Sequence, residues 1–256
     1  MEKVLVFDLT GPQAHFRKYY TNTSALTYGF PPRTVLTGIV AAVLGWEKDT
    51  YYEELGRGRY AVAVKTPVRR LVQTVNYTRT KKEDLGVLGR LGRVPGTQTP
   101  LEFLLPQGGS PFLRFRVFFS HPDTGLLVEA AARLEEGRPA FPLYLGITEC
   151  LASVHYCGIF GPENYKSLPA GTPLEVTSVI NAEHLDRITL HRAAGTNLVR
   201  ERAPYAFGPG RVLQPPAAVI YRADARPIPA VLRVKAYSFE LAEAAEKDTV
   251  VFWERE

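Results

Sequence analysis

The chain has 256 residues, 45% of them hydrophobic and 22% charged, with a formal net charge of +5. That length suits one large domain or a domain with a smaller companion, and the composition is that of an ordinary globular protein. Two cysteines, and no apolar run as long as a membrane span, exclude a disulfide framework, a zinc quartet and a transmembrane helix.

A first strand is predicted over Lys3 to Thr10. Met1-Glu2-Lys3 leads straight into it rather than into a signal peptide, so a cytoplasmic protein is expected. After Gly11-Pro12 comes a polar loop carrying His15, Phe16, Arg17, Lys18, Tyr19, Tyr20, Thr21, Asn22, Thr23 and Ser24. Cations suit phosphates, ring faces suit unstacked bases, and short hydroxyl and amide groups suit sugar and base edges. The combination is that of a single-stranded RNA site. Pro31-Pro32 closes the loop and opens a helix with Val35, Leu36, Ile39, Val40, Val43 and Leu44 at helical period. Thr34 is a candidate cap, Gly45 a stop, and Gly38 an interior glycine that asks for a close neighbour.

Tyr60 to Tyr77 predicts strand broken at Pro67. Thr78 to Thr99 predicts a flexible, glycine-rich basic insertion, longer than a compact domain usually carries. From Arg57 to Arg93 the chain holds Arg57, Arg59, Lys65, Arg69, Arg70, Arg79, Lys81, Lys82, Arg90 and Arg93, opposed only by Glu83 and Asp84. Such a run is either a solvated face or a phosphate-tracking surface. Its glycines lack the Gly-Lys-Ser/Thr ending of a phosphate loop.

Leu101–Leu105 and Phe112–Ser120 predict strands, Asp123–Glu136 a helix, and Ile147–Ile159 a strand holding Cys150 and Cys157 on opposite faces as packing thiols. The order gives an α+β fold, a ferredoxin-like βαββαβ domain over 1–160 with a basic insertion at about 78–100. RRM domains share that fold and bind RNA on the open sheet face. Short strands over Leu174–Asn181, Ile188–Arg192, Ala217–Arg222, Ala230–Leu241 and Thr249–Trp253 predict a small antiparallel extension over 161–256. His15, His121, His155, His184 and His191 show no ligand spacing, so no metal and no cofactor are expected, and His184 and His191 read as surface groups.

Gly11-Pro12, His15-Phe16-Arg17-Lys18, Thr21-Asn22-Thr23-Ser24 and Phe30-Pro31-Pro32-Arg33-Thr34-Val35-Leu36-Thr37-Gly38 together resemble the amino-terminal signature of the Cas-five family. These are CRISPR-associated RAMP proteins of type I Cascade complexes. Thr99-Pro100-Leu101-Glu102-Phe103-Leu104, Pro142-Leu143-Tyr144-Leu145-Gly146 and Glu149-Cys150-Leu151-Ala152 fit the same family. The resemblance is dense over the first forty-odd residues, patchy to Cys157 and weak beyond, and is closest to the type I-B branch.

It implies a non-catalytic subunit in antiviral defence that binds the 5′ handle of CRISPR RNA. The implied partners are the Cas-seven backbone subunit, the large Cascade subunit and target DNA within the complex, and no membrane. Handle contacts are expected from Arg17, Lys18, Tyr19, Tyr20, Asn22, Thr23 and Ser24, with Arg33, Thr34 and Thr37 at the helix start as a phosphate seat. Lys81, Lys82, Arg90 and Arg93 are expected on a hairpin "thumb". Two alternatives stand beside this one. The first is a metal-independent endoribonuclease using His15, Lys18 and Tyr20. A type I-C branch cleaves repeat RNA with a Tyr, Lys and His set in which Lys and His adjoin, but this chain has no Lys-His pair. The second alternative is a generic RRM-like RNA-binding module.

Overall fold

The computed structural model describes residues 2–21, 25–189, 197–241 and 246–254. The first half of the chain runs β1 (Val4–Gly11), α1 (Arg33–Leu44), α2 (Tyr52–Gly56), β2 (Arg59–Val64), β3 (Val68–Thr78), α3 (Lys82–Leu88), β4 (Gly96–Pro106), β5 (Leu113–Ser120), α4 (Thr124–Glu135) and β6 (Ser153–Phe160). The order β2-β5-β1-β6 makes one antiparallel sheet. Helices α1 and α4 pack on each other and on one face of it. Helix α1 stops at Gly45, whose φ of 79° lets its N–H return to the Ala41 carbonyl. Helix α4 starts at Asp123, whose carboxylate accepts the Gly125 N–H at 2.8 Å.

Strand β1 shows why two layers are not enough. Leu5, Phe7 and Leu9 face the helices, but Val4 and Val6 on the opposite face are equally buried. A strand apolar on both sides needs cover on both sides. That cover comes from the second half, which continues β7 (Tyr165–Leu168), β8 (Pro173–Val176), β9 (Ile180–Asn181), β10 (Leu185–Ile188), β11 (Leu198–Ala203), β12 (Ala217–Arg222), β13 (Ile228–Leu232), β14 (Ala236–Leu241) and β15 (Glu246–Val250). These form three-stranded sheets ordered β15-β14-β7, β10-β13-β8 and β11-β12-β9. Tyr237, Phe239, Val250 and Phe252 pack on Val4, Val6, Ala61 and Phe118.

The open sheet face expected of an RRM-like module is therefore closed. Exposing four such side chains would cost roughly 1.5–3 kcal/mol each, while a stacked base returns about 1–3 kcal/mol. The second half also joins the first through its backbone. Trp253 donates its N–H to the Tyr60 carbonyl at 3.0 Å, and Val179 donates to Val62 at 2.8 Å.

Several expected boundaries move. Residues 147–152 form a loop, so buried Cys150 precedes β6 and half-buried Cys157 lies on it; burial pushes both thiols up to about 11. The predicted strand Ala230–Leu241 is two strands of different sheets, β13 and β14, and Leu174–Asn181 is likewise β8 and β9. The predicted flexible insertion has structure, with β4 beginning at Gly96 and α3 between the strands. His184 is buried rather than on the surface, and His191 lies outside the described residues.

A cluster of charges under β15 ties the layers together. Arg116, 1% exposed, donates to both Asp8 oxygens at 2.7 and 2.9 Å, to Asp248 at 2.9 Å and to Glu246 at 2.6 Å. Lys65 reaches Asp248 at 2.9 Å and Glu246 at 3.1 Å, and Arg114 reaches Glu246 at 2.5 Å. Burial opposes ionisation of Glu246, but Arg114, Lys65 and Arg116 outweigh it and hold its pKa at about 2, against an ordinary 4.5. A depressed folded-state pKa contributes stability that is complete above the unfolded value and lost below it. The thermal midpoint is expected to fall as pH drops from 4.5 toward 2, and Glu246→Gln should flatten that part of the profile. A wild-type profile indifferent to this window would show that Glu246 does not couple to folding.

Candidate nucleic-acid interface

The loop after β1 is fixed by backbone bonds at both sides. Ala14 and Leu104 of β4 exchange bonds of 2.9 and 2.8 Å, His15 donates to the Leu145 carbonyl at 3.0 Å, and Tyr28 donates to Phe16 at 2.9 Å. Phe16 fills the core edge-on to Phe115 with ring centroids 5.7 Å apart. With Ala14 and Phe16 anchored inward, Arg17, Tyr19 and Tyr20 are left in solvent. The two tyrosine rings meet edge to face at 5.1 Å. Asn22, Thr23 and Ser24 lie outside the described residues.

Other cations of the expected site are engaged inside the protein. Lys18 is buried, with its ammonium 2.8 Å from a Glu201 oxygen and over the Tyr28 ring at 5.6 Å. Arg70 shares that same Glu201 oxygen at 2.8 Å. Arg33 is 2% exposed and lies between the rings of Tyr60 and Tyr205, at 5.0 and 4.9 Å. Its guanidinium donates to the carbonyls of Gly56 (2.7 Å), Gly58 (3.0 Å) and Tyr205 (3.2 Å) and pairs with Glu254. Thr37 is buried and donates to the Arg33 carbonyl at 2.9 Å. Lys18, Arg33 and Thr37, expected as RNA contacts, are thus each engaged within the fold. Glu201 and Glu254, the partners of Lys18 and Arg33, lie 183 and 221 residues away in sequence. Thr34 remains half-exposed at the helix start.

His15 is buried as well. The Glu102 carbonyl accepts from its Nδ1 at 2.8 Å, and its ring meets Phe103 edge-on at 6.4 Å. Burial holds its pKa below the ordinary 6.5, so the imidazole is neutral at pH 7. The three residues of the ribonuclease reading occupy different environments: His15 inside, Lys18 neutralised by Glu201, and Tyr20 in solvent.

Strands β3 and β4 pair along their whole length, from Val68 opposite Pro106 to Thr78 opposite Gly96. Beyond Val68 the residues of β3 are largely exposed. Helix α3 caps this arm, and Asp84 at its start takes two bonds from Arg79, at 2.7 and 2.9 Å. Lys81, Lys82, Arg90 and Arg93 are all exposed there, beside the apolar Leu85, Val87 and Leu91. Since Thr78 and Gly96 face each other, an Asn-Gly turn replacing residues 79–95 should close the hairpin cleanly. That variant is expected to melt within about 2 °C of wild type, because so little of the arm is buried. A large loss of stability would mean that the arm braces the core.

A cavity of ≈ 380 Å³ opens beside the loop. Arg17 and Thr34 line it, together with Tyr51, Tyr52, Phe207 and Arg211, which do not stand out as site residues in the sequence. The adjacent pair Tyr51-Tyr52 was the available signal; Phe207 and Arg211 lie in a proline-rich stretch with no periodicity. Among the described residues, no group of His, Cys, Asp and Glu side chains is arranged to hold a metal ion, and no helix is long and apolar enough to cross a membrane.

The sequence model of the family described as CRISPR-associated protein (Cas_Cas5) matches residues 4–211. Among solved structures, the chain is similar to one described as a "CRISPR RNA-guided surveillance complex", at 17% identity over 90% of this chain and 91% of that one, with a TM-score of 0.54. It is also similar to a CRISPR protein from Archaeoglobus fulgidus, at 13% identity over 97% and 99% of the two chains, with a TM-score of 0.52. Both likenesses concern the fold. No curated protein matches the sequence.

Proposed function

The chain belongs to the Cas5 family of CRISPR-associated proteins, and from that premise we propose that it holds the 5′ handle of CRISPR RNA as a non-catalytic subunit of a type I surveillance complex. The observation that carries the reading is the division of its cations. Lys18, Arg33, Lys65 and Arg116 are matched by internal carboxylates, whereas Arg17, Lys81, Lys82, Arg90 and Arg93 stand in solvent. Arg17, exposed on the loop that also presents Tyr19 and Tyr20, and the four exposed cations of the arm suit a flexible phosphate backbone with unstacked bases.

We read the sheet order β2-β5-β1-β6, with α1 and α4 on one face, as ferredoxin-like, and the β3–β4 arm as the thumb. The arm would meet the Cas-seven backbone subunit through Leu85, Val87 and Leu91, with its cations toward the RNA. The large subunit and target DNA would be met elsewhere on the complex, in the cytoplasm. The generic RRM-like reading loses its main support because the sheet face is covered. The ribonuclease reading requires a base, an acid and a cation at one phosphodiester. The distinct surroundings of His15, Lys18 and Tyr20 argue against it.

The test is incubation of the purified protein with repeat RNA in EDTA. The expected result is a retarded complex whose RNA stays intact, and His15→Ala should change neither the RNA nor, by more than a few-fold, the affinity. A single defined cut by wild type, lost in His15→Ala, would replace this reading with the ribonuclease one.

A further inference from the structure

The cavity beside the loop has a construction that phosphate tracking alone does not require. One wall is a run of rings: Tyr51 and Tyr52 lie 4.7 Å apart by centroid, and Tyr52 and Phe207 lie 5.2 Å apart. Arg211 lies over Phe207 at 5.9 Å and within 3.9 Å of Asp49, which also accepts from the Tyr52 hydroxyl. The backbone holds Arg211 there at φ 61°, a conformation that residues other than glycine rarely adopt. Arg17 is a second lining cation, from the exposed loop. Helix α1 contributes Gly38, where a Cβ would stand 3.2 Å from the Tyr51 hydroxyl. The interior glycine thus keeps the helix surface flush beneath the ring.

Aromatic faces bounded by guanidinium groups are how proteins hold an extruded base and its phosphate. A volume of ≈ 380 Å³ lies at the lower end of the range for small-ligand sites, which suits one nucleotide and not two stacked ones. The helix start beside it, at Thr34, adds a favourable field for an anion.

We infer that this cavity captures a single unstacked nucleobase of the bound strand on the rings of Tyr52 and Phe207, with its phosphate between Arg17 and Arg211. The inference rests on the RNA-holding reading above and adds a base-binding point to it. A free mononucleotide offers the same chemistry, and the experiment separates the two sources.

Repeat RNA is prepared as a set of oligonucleotides, each with one abasic position, and bound by wild type, Tyr52→Ala and Tyr52→Phe. Wild type should lose roughly tenfold to a hundredfold in affinity for one abasic position and little for its neighbours. Tyr52→Ala should lose as much on intact RNA and nothing further on that abasic RNA, while Tyr52→Phe, which keeps the ring, should bind like wild type. Addition of 5′-AMP or 5′-UMP at about 1 mM should not displace the strand, because a single base lacks the remaining contacts. Tight, salt-dependent binding with no sensitive position and no effect of Tyr52→Ala would overturn the pocket while leaving the RNA-holding reading intact. Displacement by either mononucleotide would overturn the assignment to the strand. Failure of wild type to bind repeat RNA at all would overturn both.

Discussion

Replacing Asp248 with Asn is expected to destabilise the protein by about 3–5 kcal/mol, the range for removing one partner of a buried ion pair. Asp248 is fully buried and takes Arg116 and Lys65, each at 2.9 Å. Without its charge, Arg116 keeps Asp8 and Glu246, but the Lys65 ammonium is left with Glu246 alone. The loss falls on the contact between the central sheet and β15, so exposure of the Val4, Val6 and Phe118 face should accompany it. The exposed pair Arg133–Glu129, four residues apart on α4, is the internal control, at about 0.3–0.5 kcal/mol. Denaturant unfolding of both variants measures the difference. Equal small losses would mean that the cluster is no more than a surface network.

The second large effect concerns binding. Changing Lys81, Lys82, Arg90 and Arg93 together to Ala should flatten the log–log salt dependence for single-stranded repeat RNA by about 2.8, at ~0.7 for each phosphate no longer neutralised. At physiological salt that corresponds to an affinity loss on the order of a hundredfold. Unfolding should be unaffected, since all four side chains are exposed. Lys18→Ala should behave in the opposite way. It removes one of the two cations on buried Glu201, leaving Arg70, and should cost stability with little change in slope. A slope unchanged by the four substitutions would take the arm out of the RNA site.

The parts of this molecule that were legible in the sequence are those where one physical signal dominates. The apolar stripe from Val35 to Leu44 could only be a helix, and the strands β1 and β5 carry enough apolar mass to be strands. The cover on the second sheet face was also written in β1, because Val4 to Phe7 is apolar without alternation, but a strand does not say what covers it. Breaks such as that between Leu232 and Ala236 depend on which sheet each half joins, which is a long-range choice.

Charge was the least legible property. Arg17 and Lys18 are neighbours of one sign in one loop, yet one is in solvent and the other is matched by Glu201 from β11. Arg33 looked like a phosphate seat because its partner Glu254 lies 221 residues away. The ring-lined cavity was hidden for the same reason, since Phe207 joins Tyr52 only in the fold.

Single-stranded CRISPR RNA is proposed to lie along the exposed loop and arm. Photocrosslinking of repeat RNA carrying 4-thiouridine, followed by mass spectrometry of the crosslinked peptides, tests it most directly. Adducts are expected at Tyr19 or Tyr20 and in the segment from Lys81 to Arg93. Adducts confined to α4 and β6, with that loop and arm unmarked, would contradict it.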